Sequence, residues 1–154
     1  MKTSLKTIFP VTLIYCIFTF HAIAQPVPDF EAMEKWGGGF IEGHLPQHGF
    51  FVYRSEKHTY LVLKSLSGYS GSSAQWNYVT HIIVPNYDDI NDTLVYSLCT
   101  INNKPDTRIA ALVELEPKKV LSKIKSAWKA NLEKQKIEKI PVKGIQCINE
   151  GYGV

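Results

Sequence analysis

The sequence predicts an α+β protein, in which a mostly antiparallel sheet of about five to six strands packs against one C-terminal amphipathic helix, with a short N-terminal helix beside it. Two observations lead to this prediction. Aromatic and β-branched runs alternate with turn residues through the middle of the chain, as in antiparallel strands. After Pro117, apolar residues recur at spacings of three and four, as on one face of a helix.

Residues 1–24 have the features of a secretory signal peptide. Lys2 and Lys6 precede a mostly apolar segment, and a small-x-small motif ends at Ala24, before the expected cleavage point. The apolar segment is short for a membrane span, which argues against the alternative of a retained anchor. Residues 25–154 would then form a single domain in the periplasm or outside the cell. Loss of both lysines lowers the formal net charge from +3 to +1, so nucleic acid is not an expected partner.

Cys99 and Cys147 are the cysteines that remain after cleavage, and each lies in a predicted strand. Exported proteins mature in an oxidising compartment, so a disulfide between the two is expected. The loop that it closes is long, and the chain-entropy model gives a stabilisation of about 4 kcal/mol. The alternative is two separate buried thiols. Two cysteines alone do not make a metal site.

The first element of the predicted domain is a short helix over residues 29–36. Asp29 is a suitable N-cap for it, and Gly37 is a suitable stop. Residues 37–39 are all glycine and predict a turn. They do not form a phosphate-binding loop, because that motif requires a preceding strand and a following Lys-Ser/Thr pair.

Strand patterns and turn-rich stretches alternate through the middle of the chain. The loop over residues 67–73 fails the G-x-S-x-G nucleophile motif, because Ser72 stands in place of the second glycine. The loop over residues 85–92 contains aspartates without the spacing of a calcium loop, which predicts a solvated acidic turn. The predicted strands are a hairpin over residues 49–66, a strand over 76–84, a second hairpin formed by 93–101 and 107–115, and a final strand over 142–148.

Residues 117–135 predict the C-terminal helix. Pro117 suits the first helical position, and Pro141 requires the helix to end before it. Nine lysines and two glutamates lie between Lys118 and Lys143. A solvated helix face explains these lysines more simply than a nucleic-acid or membrane surface does. The apolar stripe consists of Val120, Leu121, Ile124, Ala127, Trp128 and Leu132.

The last third of the chain contains two distinctive segments, SAWKAN at residues 126–131 and IPVKGIQCINEGYG at residues 140–153. They resemble the C-terminal ends of an uncharacterised group of small exported proteins of Gram-negative bacteria. The resemblance implies a periplasmic location and a recurring structural unit. It implies no activity and no catalytic residues.

These observations favour a protein-binding module. The predicted domain is small, exported and cross-linked, and no catalytic motif is recognisable, so no cofactor or metal is expected. We therefore expect another protein as the partner, such as an effector or envelope enzyme that an immunity protein or inhibitor neutralises. Aromatic residues in loops and turns are the candidate contacts, with ordinary core packing as the alternative. The candidates are Tyr69, Trp76, Tyr87 and Tyr152.

The alternative function is a small envelope hydrolase or lyase that uses histidine and carboxylate chemistry. The spacing of His44 and His48 would suit metal ligands on a helix, but Pro46 between them argues against a helix and a metal site. A small-ligand carrier is a third class, which would need an apolar cavity between sheet and helix. The candidate catalytic groups are His44, His48, His58 and His81, with Glu42 or an aspartate of residues 88–92.

Overall fold

The computed structural model of this protein describes residues 26–43, 47–88 and 90–152. The predicted signal peptide at residues 1–24 lies outside this part of the chain, as do His44 and Asp89.

Within the described residues the chain forms twelve strands, a single 3-10 turn at Phe30–Ala32, and no α-helix. The fold is therefore all-β, and the predicted α+β class with its C-terminal helix is wrong. The strands are β1 (Glu34–Ile41), β2 (His48–Arg54), β3 (Thr59–Ser70), β4 (Ser73–Ile83), β5 (Asp92–Tyr96), β6 (Cys99–Ile101), β7 (Lys104–Pro105), β8 (Ile109–Glu114), β9 (Val120–Leu121), β10 (Ile124–Asn131), β11 (Lys136–Ile140) and β12 (Ile145–Ile148).

These strands form three antiparallel sheets of four strands each, which stack as layers. The front sheet has the order β1-β2-β3-β4, the middle sheet β11-β10-β8-β5, and the back sheet β7-β6-β12-β9. One apolar cluster fills the space between the front and middle sheets, and a second fills the space between the middle and back sheets. The middle sheet is therefore covered on both faces.

The sequence of strand β8 reflects its burial on both faces. Ile109, Ala111 and Val113 belong to the cluster shared with the back sheet, whereas Ala110 and Leu112 belong to the cluster shared with the front sheet. All five side chains are buried. A strand that is buried on both faces needs no polar residues at alternate positions, so it appears as a continuous apolar run.

The segment predicted as a helix, residues 117–135, instead contains β9, β10 and the turn towards β11. In β10, Ala127 packs towards the back sheet, while Trp128 and Ala130 pack towards the front sheet. Apolar residues on both faces of a strand produced spacings of three and four that match a helix. Periodicity alone cannot separate these two cases, and the tertiary environment decided the outcome.

The lysines of this segment do not form one basic helix face. They are distributed along strands and turns, and several pair with nearby carboxylates. Such pairs stabilise a surface sheet only slightly, but they neutralise its charge locally. The ion pairs are Lys118–Glu116, Lys123–Glu114, Lys123–Glu116, Lys125–Asp92, Lys129–Asp106 and Lys136–Glu138.

The predicted N-terminal helix over residues 29–36 is wrong beyond its first turn. Asp29 does act as the cap, because its Oδ1 accepts hydrogen bonds from two amides of the 3-10 turn at 3.1 and 3.4 Å. The chain then extends into β1 from Glu34, so Gly37 ends no helix. The pairing of β1 with β2 competes successfully with the weak helical tendency of this short segment.

Gly37, Gly38 and Gly39 lie in the middle of β1 and do not form the predicted turn. A Cβ atom on Gly37 would overlap the hydroxyl of Tyr96, and one on Gly39 would lie 2.8 Å from Cδ2 of the same ring. The amide of Gly38 donates a hydrogen bond to the Tyr96 hydroxyl. Because Tyr96 belongs to β5, the front sheet approaches the middle sheet this closely only where β1 has no side chains.

The other predicted strands agree with the structure to different degrees. The hairpin over residues 49–66 is confirmed by the pairing of β2 with β3, and the strand over 76–84 is confirmed within β4. The predicted loop over residues 67–73 is mostly wrong, because β3 continues to Ser70. In the second predicted hairpin β5 does pair with β8, but residues 99–101 leave it and join the back sheet as β6.

The predicted disulfide between Cys99 and Cys147 is confirmed. The two cysteines lie directly opposite each other on β6 and β12, and both are buried in the cluster between the middle and back sheets. The bond therefore joins segments that are 48 residues apart in sequence at the centre of the smallest layer.

Replacement of Gly37 by alanine tests the close approach of the front and middle sheets. Gly37→Ala should lower the free energy of unfolding by about 1–3 kcal/mol, because the Tyr96 ring must move. Urea denaturation measures the loss. Adding Tyr96→Phe should recover part of it, since the overlapping hydroxyl is removed. Gly151→Ala is the matched control, because its Cβ would meet only ordinary contacts. Equal stability of the Gly37→Ala and Gly151→Ala variants would contradict the packing described.

Removal of the disulfide tests its contribution to the back sheet. The double variant Cys99→Ala, Cys147→Ala should unfold at lower urea concentration, with a loss of about 4 kcal/mol, because the unfolded chain regains the freedom of the closed loop. Reduction of the wild-type protein should cause a loss of similar size, while the double variant should not respond to the reductant. A wild-type protein that is equally stable oxidised and reduced would show that the bond is dispensable.

Candidate binding face

Alternate residues of the front sheet point away from the core and form its outer face. Aromatic residues are the commonest side chains there. The strand register gives two lysines and no carboxylate among the outward positions of these described strands. These positions are Lys35, Gly38, Phe40, Gly49, Phe51, Tyr53, Tyr60, Val62, Lys64, Leu66, Trp76, Tyr78, His81 and Ile83.

The N-terminal 3-10 turn covers one half of this outer face. The ring of Phe30 lies 5.2 Å from that of Tyr53, 5.6 Å from that of Tyr60 and 5.3 Å from that of His81, between ring centroids. Phe30 itself is buried. Such edge-on and tilted aromatic contacts stabilise a cluster beyond the area that it buries. This half of the outer face is therefore a small core of its own.

The other half is open and forms a groove of about 320 Å³ beside the glycines of β1. The Phe51 ring lies over Gly38 and Gly49, where no side chains intervene. Trp76 meets Phe51 edge-on at 5.0 Å between centroids, and Phe40 stacks on Trp76 at 5.7 Å. Phe40 remains 56% exposed. A large apolar ring is thus held out to solvent by a stack of neighbouring rings.

Lys35 lines this groove, and Lys64 lies on the same face beside the Phe51 ring. Nζ of Lys35 lies 4.9 Å from the centroid of Phe51, and Nζ of Lys64 lies 5.5 Å from it, both within the range of cation–π attraction. Lys64 also donates a hydrogen bond of 2.7 Å to the Tyr53 hydroxyl. We call the set formed by Lys35, Phe40, Phe51, Lys64 and Trp76 the aromatic–lysine face.

The structure does not bring the four predicted contact residues together. Trp76 belongs to the aromatic–lysine face, and Tyr69 lies further along the β3–β4 hairpin, 67% exposed. Tyr87 packs against the cluster between the front and middle sheets and against the Arg54 guanidinium. Tyr152 is exposed beside Leu115 and the residues that follow β12. The first two therefore share one region, and the other two lie elsewhere.

Sequence reasoning missed the rest of the aromatic–lysine face. Phe40 directly follows the three glycines that were predicted to form a turn, and no strand was predicted there. Phe51 and Lys64 were within a correctly predicted hairpin, but their apolar neighbours gave no sign of which face was open. Strand alternation assigns both residues to the same side once the register of β2 with β3 is known.

The histidines of the alternative function are dispersed among the described residues. His48 is buried in β2, His58 lies in the turn before β3, and His81 lies on the outer face of β4. The Tyr78 hydroxyl and His81 Nδ1 are 2.8 Å apart. Burial raises the pKa of Tyr78 and lowers the pKa of His81, so both groups favour their neutral forms. In the described part of the chain no carboxylate hydrogen-bonds to a histidine, and no cluster of metal-ligating residues forms.

The described aspartates of the predicted acidic turn bond within the protein. The buried Asp92 lies 2.5 Å from Nζ of Lys125, through its Oδ1. Asp88 accepts hydrogen bonds from the amide of Ile90 and the side chain of Asn91. The hydrogen bond from Asn91, followed by that from Ile90, lowers the pKa of Asp88. These carboxylates stabilise the entry to β5.

Asp106 is the centre of the best-connected charged cluster. It accepts hydrogen bonds from Arg108 Nε at 2.9 Å and Nη2 at 3.0 Å, and it lies 2.7 Å from Nζ of Lys129. Burial alone would raise the pKa of Asp106, but these donors outweigh it and hold the pKa well below its usual range. The carboxylate links the loop before β8 to β10, so its role is structural.

The chain matches no known protein family, no curated protein and no solved structure. The part of the chain that the structure describes contains no helix with the length and apolar character of a membrane span.

Asp106→Asn tests the charged cluster through its pH dependence. A lowered folded-state pKa gives stability that is complete above the unfolded pKa of about 4 and is lost as pH falls towards the folded value. The variant should be about 2 kcal/mol less stable than the wild type at pH 7, because charged hydrogen bonds are lost. This difference should shrink at pH 2.5 in urea denaturation.

The exposed Glu133→Gln variant is the control for the Asp106 measurement and should track the wild type at both pH values. The opposite result is that Asp106→Asn and wild type differ in free energy of unfolding by the same amount at pH 7 and pH 2.5. That result would show that the charge of the Asp106 carboxylate does not contribute to stability.

Proposed function

We propose that this protein is an extracytoplasmic protein-binding module, an immunity protein or inhibitor that neutralises an effector enzyme, and that it binds through the aromatic–lysine face. The observation that supports this most directly is the exposed stack of Phe40 on Trp76 beside a groove walled by glycine backbone. Aromatic rings of this kind dominate the energetics of protein interfaces when a partner removes them from water.

The rigidity of the front sheet supports the same proposal. Its strands are 7 to 12 residues long, and the disposition of Phe51 and Trp76 is fixed by ring contacts before any partner arrives. A side chain that is already ordered loses little conformational entropy on binding. The glycines leave backbone accessible at the groove, so a partner side chain can approach the sheet itself.

The proposed location outside the cytoplasm rests on the disulfide and on the predicted signal peptide. A disulfide between Cys99 and Cys147 is compatible with an oxidising compartment, where such bonds persist. An exported binding protein is well placed to meet an effector enzyme in the envelope. The periplasm and the extracellular space are both consistent with this argument.

A second exposed apolar region lies at the back of the molecule but fits the proposal less well. Tyr152 and Leu115 border a groove of about 620 Å³ there. The strands of the back sheet are only 2 to 4 residues long, so this region lacks an extended rigid surface. The residues that line this groove also lack the stacked aromatic rings and the two neighbouring lysines of the aromatic–lysine face.

Capture of a partner with matched variants tests this proposal. Tagged, oxidised protein is incubated with envelope and secreted fractions of its own host and of competing bacteria. We expect one stoichiometric protein whose enzymatic activity is inhibited. The double variant Phe40→Ala, Trp76→Ala should reduce its recovery at least tenfold, because each hot-spot ring contributes about 2 kcal/mol.

Tyr152→Ala is the control variant for the capture, since it removes an exposed ring from the opposite region; it should recover the partner as the wild type does. Urea denaturation must show that both variants fold. Recovery by the Phe40→Ala, Trp76→Ala variant equal to that of the wild type would exclude the aromatic–lysine face as the binding surface.

A further inference from the structure

The charge of the aromatic–lysine face indicates the chemistry of its partner, and this inference rests on the proposed function. Elsewhere in the described chain, lysines such as Lys125 and Lys129 pair closely with carboxylates. Lys35 and Lys64, like several other surface lysines, have no carboxylate of the described residues within ion-pair distance; what distinguishes them is their shared position. Both ammonium groups are held near one ring, that of Phe51.

Two cations in one acid-free region create a local positive potential at the mouth of the groove. Contact with an aromatic ring positions an ammonium group but leaves its formal charge uncompensated. A partner carboxylate that approaches Lys35 or Lys64 therefore gains an ion pair without displacing an existing one. Like charges in the partner would instead be repelled, so the same feature selects against basic surfaces.

We propose that the aromatic–lysine face recognises an acidic protein segment in which one large apolar side chain is flanked by carboxylates. The apolar side chain enters the groove of about 320 Å³ beside Phe40 and Trp76, and the carboxylates meet Lys35 and Lys64. The groove is a recess, which a protruding side chain fills and a flat lipid surface does not.

The backbone amides at the edge of β1 argue against binding by an added strand and favour recognition through side chains. The Gly38 amide already donates to the Tyr96 hydroxyl, and the Glu42 amide, directly after the end of β1, donates to Thr107 Oγ1 at 3.1 Å. Strand addition would require an edge with free backbone donors. The outer face remains open, and it carries the cations.

The test uses synthetic peptides and NMR spectroscopy of the oxidised, isotope-labelled protein. The probe is a seven-residue peptide with one tryptophan flanked by glutamates; glutamine-flanked and lysine-flanked peptides are the controls. The acidic peptide should shift the amide signals of Gly38, Phe40 and Gly49 and the indole signal of Trp76. The glutamine peptide should bind at least tenfold more weakly, and the lysine peptide should cause no shifts. Raising the salt concentration should weaken acidic-peptide binding.

Charge reversal supplies the matched variants. Lys35→Glu with Lys64→Glu should abolish the shifts, and Lys35→Gln with Lys64→Gln should weaken them. Lys119→Glu with Lys139→Glu changes the net charge equally outside the face and should leave them intact. Equal binding of all three peptides, absence of shifts with the acidic peptide, or binding only to anionic phosphatidylglycerol vesicles would overturn the inference.

Partner capture separates this inference from the proposed function. If Phe40→Ala with Trp76→Ala loses the partner but Lys35→Glu with Lys64→Glu retains it, the face binds a protein and the acidic chemistry is wrong. If neither double variant changes recovery, the proposed function fails as well. Loss of the partner with both variants, but not with Lys119→Glu and Lys139→Glu, is the result expected.

Discussion

Burial of the middle sheet on both faces is the constraint on which the rest of this structure depends. Strand β8 alternates its side chains between two apolar clusters, one on each face of the middle sheet. Removal of either the front or the back sheet would therefore expose one apolar face of the middle sheet to water. Ala110 and Ala111 let the neighbouring layers approach, while Leu112 and Val113 fill the space on either side. The back sheet has very short strands, so the few backbone hydrogen bonds between them cannot stabilise it alone. Its cluster and the disulfide at its centre hold it against the middle sheet instead.

The edge strand of the front sheet, β1, also packs against the middle sheet. This contact determines the shape of the candidate binding face. Tyr96 extends from β5 to β1, and Gly37 and Gly39 leave room for its ring and hydroxyl. The absence of side chains on β1 also has an effect on the outer side of the sheet. There, Phe51 lies flat over Gly38 and Gly49, as aromatic rings often cover glycines in strands. The groove, the exposed Phe40 and the positions of both lysines follow from this packing.

Prediction from the sequence succeeded where neighbouring residues determine the local structure. It failed where contacts between the sheets determine it. The cap at Asp29, the β2–β3 hairpin and the disulfide follow from local residue types or from the compartment. The helix over residues 117–135 was wrong because strand β10 is apolar on both faces, and that pattern has no unique period. The glycines of β1 were assigned to a turn because their partner, Tyr96, lies far away in sequence. The binding face could be predicted only through Trp76, since its other members become neighbours only after the strands pair.

An exposed aromatic surface on a β-sheet carries a risk of self-association, and the composition of this face reduces that risk. Two copies that met through it would bring the ammonium groups of Lys35 and Lys64 from both chains together without any carboxylate at the outward positions of the described strands to separate them. The edge of β1 is also partly protected, because Tyr96 occupies the amide of Gly38 and Thr107 occupies the amide of Glu42, directly after the strand. The lysines would thus oppose contact between copies and favour contact with the acidic partners that we propose. A single physical feature, the positive charge around Phe51, would therefore both limit self-association and provide the selectivity that we propose for this face.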